Sequence, residues 1–383
     1  MIREKSEQSV PERSDAIELF VCQRPGSALT NSSLESFQQH QIADAIDHMS
    51  SARNIDEIVN DILSFDEEAS IAQIVNRTRE LLRDKLRRRG LVLGVSGGVD
   101  SAVCAALAVK AVGPERVFAL LMPESDSSAE SVINGRLLAE HLGIRYVVED
   151  IAPTLEAIGC YRWRDEAIRV VFPQYESGWK NKIVIAGGGE GKINHFNLVV
   201  ADPDGCMHEQ RLGLKEYLQI VAATNFKQRI RKTLEFFHAD RLNYAVVGTP
   251  NRVEYDQGFF VKGGDGSADV KPIAHLYKSQ VYRLARHLGL PDVICNAIPT
   301  TDTYSLAQGQ DEFYYALPYK EMDIALWYYN NDRAADELGR VLGISGEQAQ
   351  FIYRDIENKR TTTAPLHWPA LLVEPVKGPL SAP

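Results

Sequence analysis

Apolar residues run from Leu91 to Val95, give way to the polar, glycine-rich turn Ser96-Gly97-Gly98-Val99-Asp100-Ser101, and return in Ala102–Val112, where Lys110 is the single charge. A short apolar run bounded by a turn predicts a buried strand. The stretch behind it predicts a helix with almost no polar face, hence a buried one. The rhythm then repeats: Val117–Met122 predicts a second buried strand, Glu130–Leu142 a helix, and Ile144–Asp150 a third strand. Strand, helix, strand, helix, strand implies a parallel sheet with right-handed crossovers. Upstream, Ile71, Ile74, Val75, Leu81, Leu82 and Leu86 fall at helical spacing within Ala69–Arg89. Arg87, Arg88 and Arg89 then sit in the last turn, where cations suit the helix dipole, and Gly90 is the expected stop.

Past Asp150 the rhythm breaks. Ile183–Ala186, His195–Ala201 and the turn Asp202-Pro203-Asp204-Gly205 predict a small β-rich insertion at about 176–215. Gly187-Gly188-Gly189-Glu190-Gly191 reads as a flexible loop, because no helical pattern follows it to make a phosphate site. A helical pattern returns from Glu216, and Ala245–Val247 predicts one more short strand, opening onto Gly248–Glu254. A glycine-dense loop (Lys262–Asp269) and a helix (Lys278–Leu288) follow. From Arg333 two helical stretches meet at Gly343-Ile344-Ser345, the second of them short. Residues 1–68 carry few apolar clusters and read as a partly ordered extension. The expected fold is α/β: a doubly wound, Rossmann-like parallel sheet within residues 69–332, with the N-terminal extension, the insertion, and a C-terminal helical tail over 333–383.

Composition narrows the class. The chain has 383 residues, 44% of them hydrophobic and 25% charged, which is ordinary for a soluble globular enzyme. The net charge of −10 argues against a nucleic-acid partner, and so against reading the tail as a DNA-binding helix-turn-helix. Cys22, Cys104, Cys160, Cys206 and Cys295 are scattered, with no Cys-x-x-Cys pair to suggest zinc or a disulfide framework. Reduced thiols in the cytoplasm fit this usage. No apolar run reaches the roughly 18 residues of a membrane span, and the N-terminus lacks the apolar core of a secretory signal.

The turn at Ser96–Ser101 carries the first chemistry. Gly97 and Gly98 let the backbone turn tightly and approach a ligand. The helix start behind them offers free N–H groups and a partial positive charge, a seat for phosphate. Asp100 is not needed for that task; a carboxylate there suits a metal ion bridging phosphate oxygens. The Gly-Lys-Ser/Thr ending of a Walker loop is missing. Ser-Gly-Gly-Val-Asp-Ser instead resembles the signature of the ATP pyrophosphatases, which cut ATP between the α and β phosphates and place AMP on a substrate.

Three further segments extend the resemblance to the NAD synthetase family. They are Asn225-x-Lys227-x-Arg229-x-Arg231; Gly248-Thr249 with Glu254, running on through Gly258-Phe259-Phe260-x-Lys262-x-Gly264-Asp265-Gly266-x-Ala268-Asp269; and Pro272-Ile273-x-x-Leu276-x-Lys278 with Pro299-Thr300-x-Asp302. The resemblance implies that the substrate is deamido-NAD or a related carboxylate, amidated by ammonia that is free or delivered by a partner glutaminase. It implies ATP as co-substrate, Mg²⁺ held by Asp100 and Glu254, and a homodimer. Asp100, Lys278 and Glu254 would be catalytic. Gly94, Val95, Ser96, Gly97, Gly98, Asp100, Ser101, Thr249, Lys278 and Thr300 would bind ATP. Asn225, Lys227, Arg229, Lys262, Asp265 and Asp269 would bind the acceptor. Arg229 and Arg231 lie two apart on a predicted helix and so cannot share one face. The inserted segment and Gly263, where the family often has an aromatic residue, lie on the acceptor side. They keep open a paralogue that amidates a different carboxylate. A third possibility is a nucleotide-binding regulator without catalysis, against which Asp100, Lys278 and Glu254 together speak.

Overall fold

The computed structural model describes residues 54–186, 195–297, 304–306 and 317–376. In chain order the helices are α1 (Ile55–Ile62), α2 (Glu67–Glu80), α3 (Val99–Val112), α4 (Ala129–Leu142), α5 (Ala152–Ala157), α6 (Cys160–Val171), α7 (Leu214–Leu242), α8 (Arg252–Gln257), α9 (Lys278–His287), α10 (Asp292–Cys295), α11 (Tyr319–Asn330), α12 (Ala335–Leu342) and α13 (Gly346–His367). The strands are β1 (Leu91–Gly94), β2 (Val117–Leu121), β3 (Arg145–Val148), β4 (Lys180–Ala186), β5 (His195–Ala201), β6 (Met207–Arg211) and β7 (Ala245–Val246).

The main sheet has the order β3-β2-β1-β7, with every pair parallel. Side chains alternate between its faces. Leu91, Leu93, Val117, Ala119 and Leu121 pack with α2, α3, α4 and α9. Val92, Phe118, Leu120 and Val246 pack on the opposite side with α5, α6 and α7. Burial on both faces explains why these strands are continuous apolar runs, and it makes the sheet doubly wound, as expected. In α3 almost every residue is buried, Asp100, Val109 and Lys110 excepted, so the helix has no solvent stripe.

The turn before β1 differs from expectation. α2 ends at Glu80 and continues as a π-helical turn, Leu81–Leu86, which Arg87 closes in the left-handed conformation at φ 53°. Arg88 and Arg89 therefore lie beyond the helix, bonded to Asn243, and Gly90 is not its stop. Gly90 is needed for close approach instead. A Cβ there would lie 2.4 Å from the Arg116 carbonyl oxygen and 2.6 Å from the Tyr244 ring.

The insertion forms its own antiparallel sheet, β4-β5-β6, separate from the main one. Ile183, Leu198 and Val200 press one face of it onto α6 and α7. The tail also differs from expectation: its second helix, α13, is long, and its first, α12, is short. Ile58, Val59 and Leu63, at and just beyond α1, pack into one apolar cluster with Leu326 of α11, Leu338 of α12 and Ile356 of α13. This cluster joins the segment before residue 68 to the helices after 333, so both expected boundaries run through shared core. The Gly187–Gly191 loop lies outside the described residues. Among the described residues no helix is long and apolar enough to cross a membrane.

Candidate active site

The C-terminal ends of β1, β2 and β7 open into a cavity of about 940 Å³, at the upper end of ordinary small-molecule sites. The crevice lies where the strand order changes direction, between β1 and β7, the usual place for ligands in open parallel sheets. Gly94, Val95, Ser96, Gly97, Gly98, Asp100 and Ser101 all line it. Gly97 has φ +80°, and a Cβ there would come 2.7 Å from the Ser131 carbonyl oxygen, so the turn sits tightly against α4. The Ser101 hydroxyl donates to the Gly98 carbonyl at 2.9 Å and lies 3.2 Å from the Ser96 hydroxyl. Among the described residues no side chain caps α3 at Gly98, which leaves the first-turn N–H groups of that helix open to an anion.

Opposite the turn stand Lys278, Glu254 and Asn251. Lys278 begins α9, is 4% exposed, and pairs through Nζ with the Asp100 carboxylate. Burial alone would lower the ammonium's pKa, but the Asp100 and Glu254 carboxylates outweigh it and hold Lys278 charged, above the ordinary lysine value. The Asn251 amide donates to the other Asp100 oxygen at 3.2 Å. Asn251 also accepts from the Val253 and Glu254 N–H groups while Glu254 Oε2 accepts from the Asn251 N–H at 3.1 Å. This reciprocal capping box at the start of α8 holds Glu254 on Asn251, the residue that also bonds Asp100. Thr249 lines the same wall, whereas Thr300 and Asp302 lie outside the described residues. The sequence signal for Asn251 is the Asn-x-x-Glu pattern of a helix start.

α7 forms the long wall. Asn225, Gln228, Arg229, Arg231, Lys232 and Glu235 line the cavity. Arg229 and Arg231 do diverge. The first donates to the Lys262 carbonyl at 3.3 Å, the second to the Met122 carbonyl at 3.2 Å and to Ser127. Lys232 pairs with Glu235 at 2.6 Å, and burial raises the Glu235 carboxyl. Asp265 also lines the cavity, accepts from the Val261 N–H at 2.7 Å, and is raised by burial. Lys262 reaches across to donate to the Pro365 carbonyl, one of the open carbonyls in the last turn of α13.

Two of the expected acceptor residues do not line the cavity. Lys227 is 2% exposed and bonds Glu124 at 3.0 Å and Asp126 at 2.6 Å, within a buried network that includes Tyr161 and Arg164. It anchors the loop after β2. Asp269 accepts from the Val246 N–H at 2.8 Å and fixes the end of β7. Conversely, a wall from the tail was not foreseen. Asp355, Lys359, Thr362 and Leu366 of α13 line the cavity at spacings of four and three, one helical face. Lys359 pairs with Asp355 at 2.7 Å, and burial lowers its pKa. The insertion closes the remaining end with Ile185 and Phe196, next to Tyr217 and Val221 of α7.

The NAD synthase family pattern matches residues 71–171 and 193–362. The NH(3)-dependent NAD(+) synthetase of Rhizobium meliloti is 57% identical over 318 residues, 83% of this chain and 95% of that protein. Its counterpart in Thermotoga maritima is 40% identical over 252 residues, covering 65% and 83%. Among solved structures, the NH3-dependent NAD synthetase from Campylobacter jejuni, in complex with the nitrate ion, gives a TM-score of 0.54 at 21% identity, covering 81% of this chain and all (100%) of that one. The NMN synthetase from Francisella tularensis gives 0.53 at 23%, covering 82% and 99%. At those identities the two structures speak for the fold.

Proposed function

The chain belongs to the NAD synthase family, and we propose that it is an ammonia-dependent NAD synthetase. In the first step a nicotinate carboxylate oxygen of deamido-NAD bonds to the α phosphorus of ATP, and the bond from that phosphorus to the bridging oxygen breaks, releasing pyrophosphate. In the second, ammonia bonds to the activated carbonyl carbon, the C–O bond to AMP breaks, and a proton from nitrogen passes to solvent. The observation that carries this reading is the meeting of the glycine turn, Asp100, Lys278 and Glu254 on one cavity of about 940 Å³. The identity to the Rhizobium meliloti protein across nearly its whole length supports deamido-NAD over an unrelated carboxylate.

In this reading Gly94, Val95, Ser96, Gly97, Gly98 and Ser101 cradle the ATP phosphates through backbone and hydroxyl donors. Lys278 and Thr249 face them from the other wall. Lys278 is held charged before any nucleotide arrives, so it offers fixed positive charge where pyrophosphate develops. Asn225, Arg229, Lys262 and Asp265 remain as acceptor contacts, joined by Lys359; Lys227 and Asp269 become supports.

Asp100 and Glu254 fit Mg²⁺. Among the described residues no cluster of three or more His, Cys, Asp or Glu stands ready for a metal. Two carboxylates beside a phosphate seat are the arrangement that Mg²⁺ uses, since it takes much of its coordination from phosphate and water. When bound, the ion would neutralise charge on the departing pyrophosphate. The four described cysteines are free thiols, which fits a cytoplasmic enzyme. The test is direct. Purified protein with ATP, Mg²⁺, deamido-NAD and ammonium is expected to yield NAD and AMP in equal amounts. Absence of NAD at saturating substrates would sink the assignment.

A further inference from the structure

The cavity does not end at the glycine turn and the basic stretch of α7. Glu235 packs against Gly94, where an added Cβ would meet its carboxylate at 2.8 Å. Tyr217, on the same helix, lies roughly 27 Å away along the axis. A nucleotide held by its phosphates at Ser96–Ser101 does not fill both ends, so the far end is left to the second substrate.

That end has a distinct chemistry. Ile185 lies directly opposite Phe196 in the β4–β5 ladder, so both side chains project from one face. Further along the strands the same face carries Ile183 and Leu198, which anchor the sheet on α6 and α7. The last pair thereby comes to stand where the cavity passes it. The Phe196 ring stacks on Tyr217, with centroids 4.3 Å apart and planes 16° from parallel. Ile185, Phe196, Tyr217 and Val221 give this end an uncharged, half-aromatic lining, with Arg229 and Lys262 as cations nearer the glycine turn. The family pattern stops at 171 and resumes at 193, so β4 and Ile185 belong to a segment outside it.

We propose that the paired ends of β4 and β5 are a seat for a flat heteroaromatic ring of the acceptor, and that Ile185, Phe196 and Tyr217 supply acceptor affinity without contacting ATP. The inference rests on the ligase reading above. Aromatic faces and aliphatic edges hold flat rings by stacking and desolvation, with little preference among heterocycles. A dinucleotide acceptor offers two such rings, pyridine and adenine, and the experiment separates them.

Steady-state kinetics of Phe196→Ala and Tyr217→Ala, with deamido-NAD and in parallel with nicotinate mononucleotide as acceptor, test the seat. The KM for deamido-NAD is expected to rise by about tenfold or more, with the KM for ATP unchanged. A rise with both acceptors puts the pyridine ring on this seat; a rise with the dinucleotide alone puts adenine there. An equal or larger rise in the KM for ATP, or an unchanged acceptor KM, overturns the proposal. If either alanine variant lowers the unfolding midpoint, Tyr217→Phe and Phe196→Tyr, which keep the rings, are expected to restore the acceptor KM; failure to restore it also overturns the proposal. Calorimetric titration of deamido-NAD without ATP reads the same seat without turnover. Wild-type protein that binds deamido-NAD and loses that binding in the variants supports the seat even where no NAD forms, whereas wild-type protein that makes no NAD fails the ligase assignment itself.

Discussion

Lys278 and Lys227 are both buried lysines paired with carboxylates, yet they do different work. Lys278 faces the cavity and keeps its charge there through Asp100 and Glu254. Lys278→Met is expected to lower kcat/KM by at least about a hundredfold, read as AMP formation, while the protein stays folded because Asp100 retains the Asn251 amide. Lys227 turns away and holds Glu124 and Asp126. Lys227→Met leaves two buried carboxylates short of a partner, and a loss of about 3–5 kcal/mol in denaturant unfolding is expected. A Lys227→Met protein of full stability with a selectively raised acceptor KM would return Lys227 to the substrate site. The distinction was not within reach of the sequence. In Asn225-x-Lys227-x-Arg229-x-Arg231 the positions four apart share a face, so Lys227 goes with Arg231, yet Arg231 lines the cavity and Lys227 does not. Motif spacing identified the helix; only packing decides which side of it is wet. Glu254 shows the opposite case. A helix-start glutamate is ordinarily a surface acid, and here Asn251 bonds both Glu254 and Asp100 and so brings them to one site.

At the scale of elements, α9 depends on a residue from another part of the chain. Asp323 of α11 is fully buried and accepts from the Lys278 and Ser279 N–H groups at 3.2 and 2.7 Å, so it caps the helix that presents Lys278. Burial, only partly offset by these bonds, pushes its pKa up to about 6. An acid raised in the folded state binds more protons folded than unfolded between its two values. Its contribution to stability therefore declines as pH rises from about 4 to about 6. Asp323→Asn removes that titration. The variant is expected to gain on the wild type by up to about 3 kcal/mol across this window, measured as the difference between their unfolding free energies at each pH. A difference that stays flat with pH would show that Asp323 remains ionised throughout. The apolar runs made β1, β2, α3 and the double winding legible in advance, because burial on both faces leaves no other reading for them. The π-helical turn at Leu81–Leu86 was not, since its apolar spacing is also that of an ordinary helix. The wall from α13 was hidden for a related reason. Asp355, Lys359 and Thr362 form a polar stripe, and a polar stripe on a terminal helix normally faces water.

For the whole molecule, the described end of the extension and the tail share a core. α1, α11, α12 and α13 bury one another, and the cavity draws its walls from the glycine turn, α7, the insertion and α13. Such an arrangement cannot be read from motifs confined to one segment, because the tail's share consists of common residue types in an ordinary helix. Among the described residues, exposed apolar pairs at helical spacing include Ile133 with Leu137 on α4 and Leu214 with Leu218 on α7. Exposed apolar pairs of this kind suit contact with another subunit. Sedimentation is expected to give twice the chain mass, with Ile133→Glu/Leu137→Glu or Leu214→Glu/Leu218→Glu shifting it toward one; a wild-type monomer at assay concentration would rule the dimer out. The placement of α13 also has a consequence in time. The glycine turn leaves the ribosome roughly 250 residues before Thr362, so at ordinary elongation speeds the chain exists for roughly ten to fifty seconds with its phosphate seat synthesised and its last wall unmade. A chain stalled short of α13 lacks that wall, and a purified truncation ending before Gly346 is expected to form less AMP than the full chain.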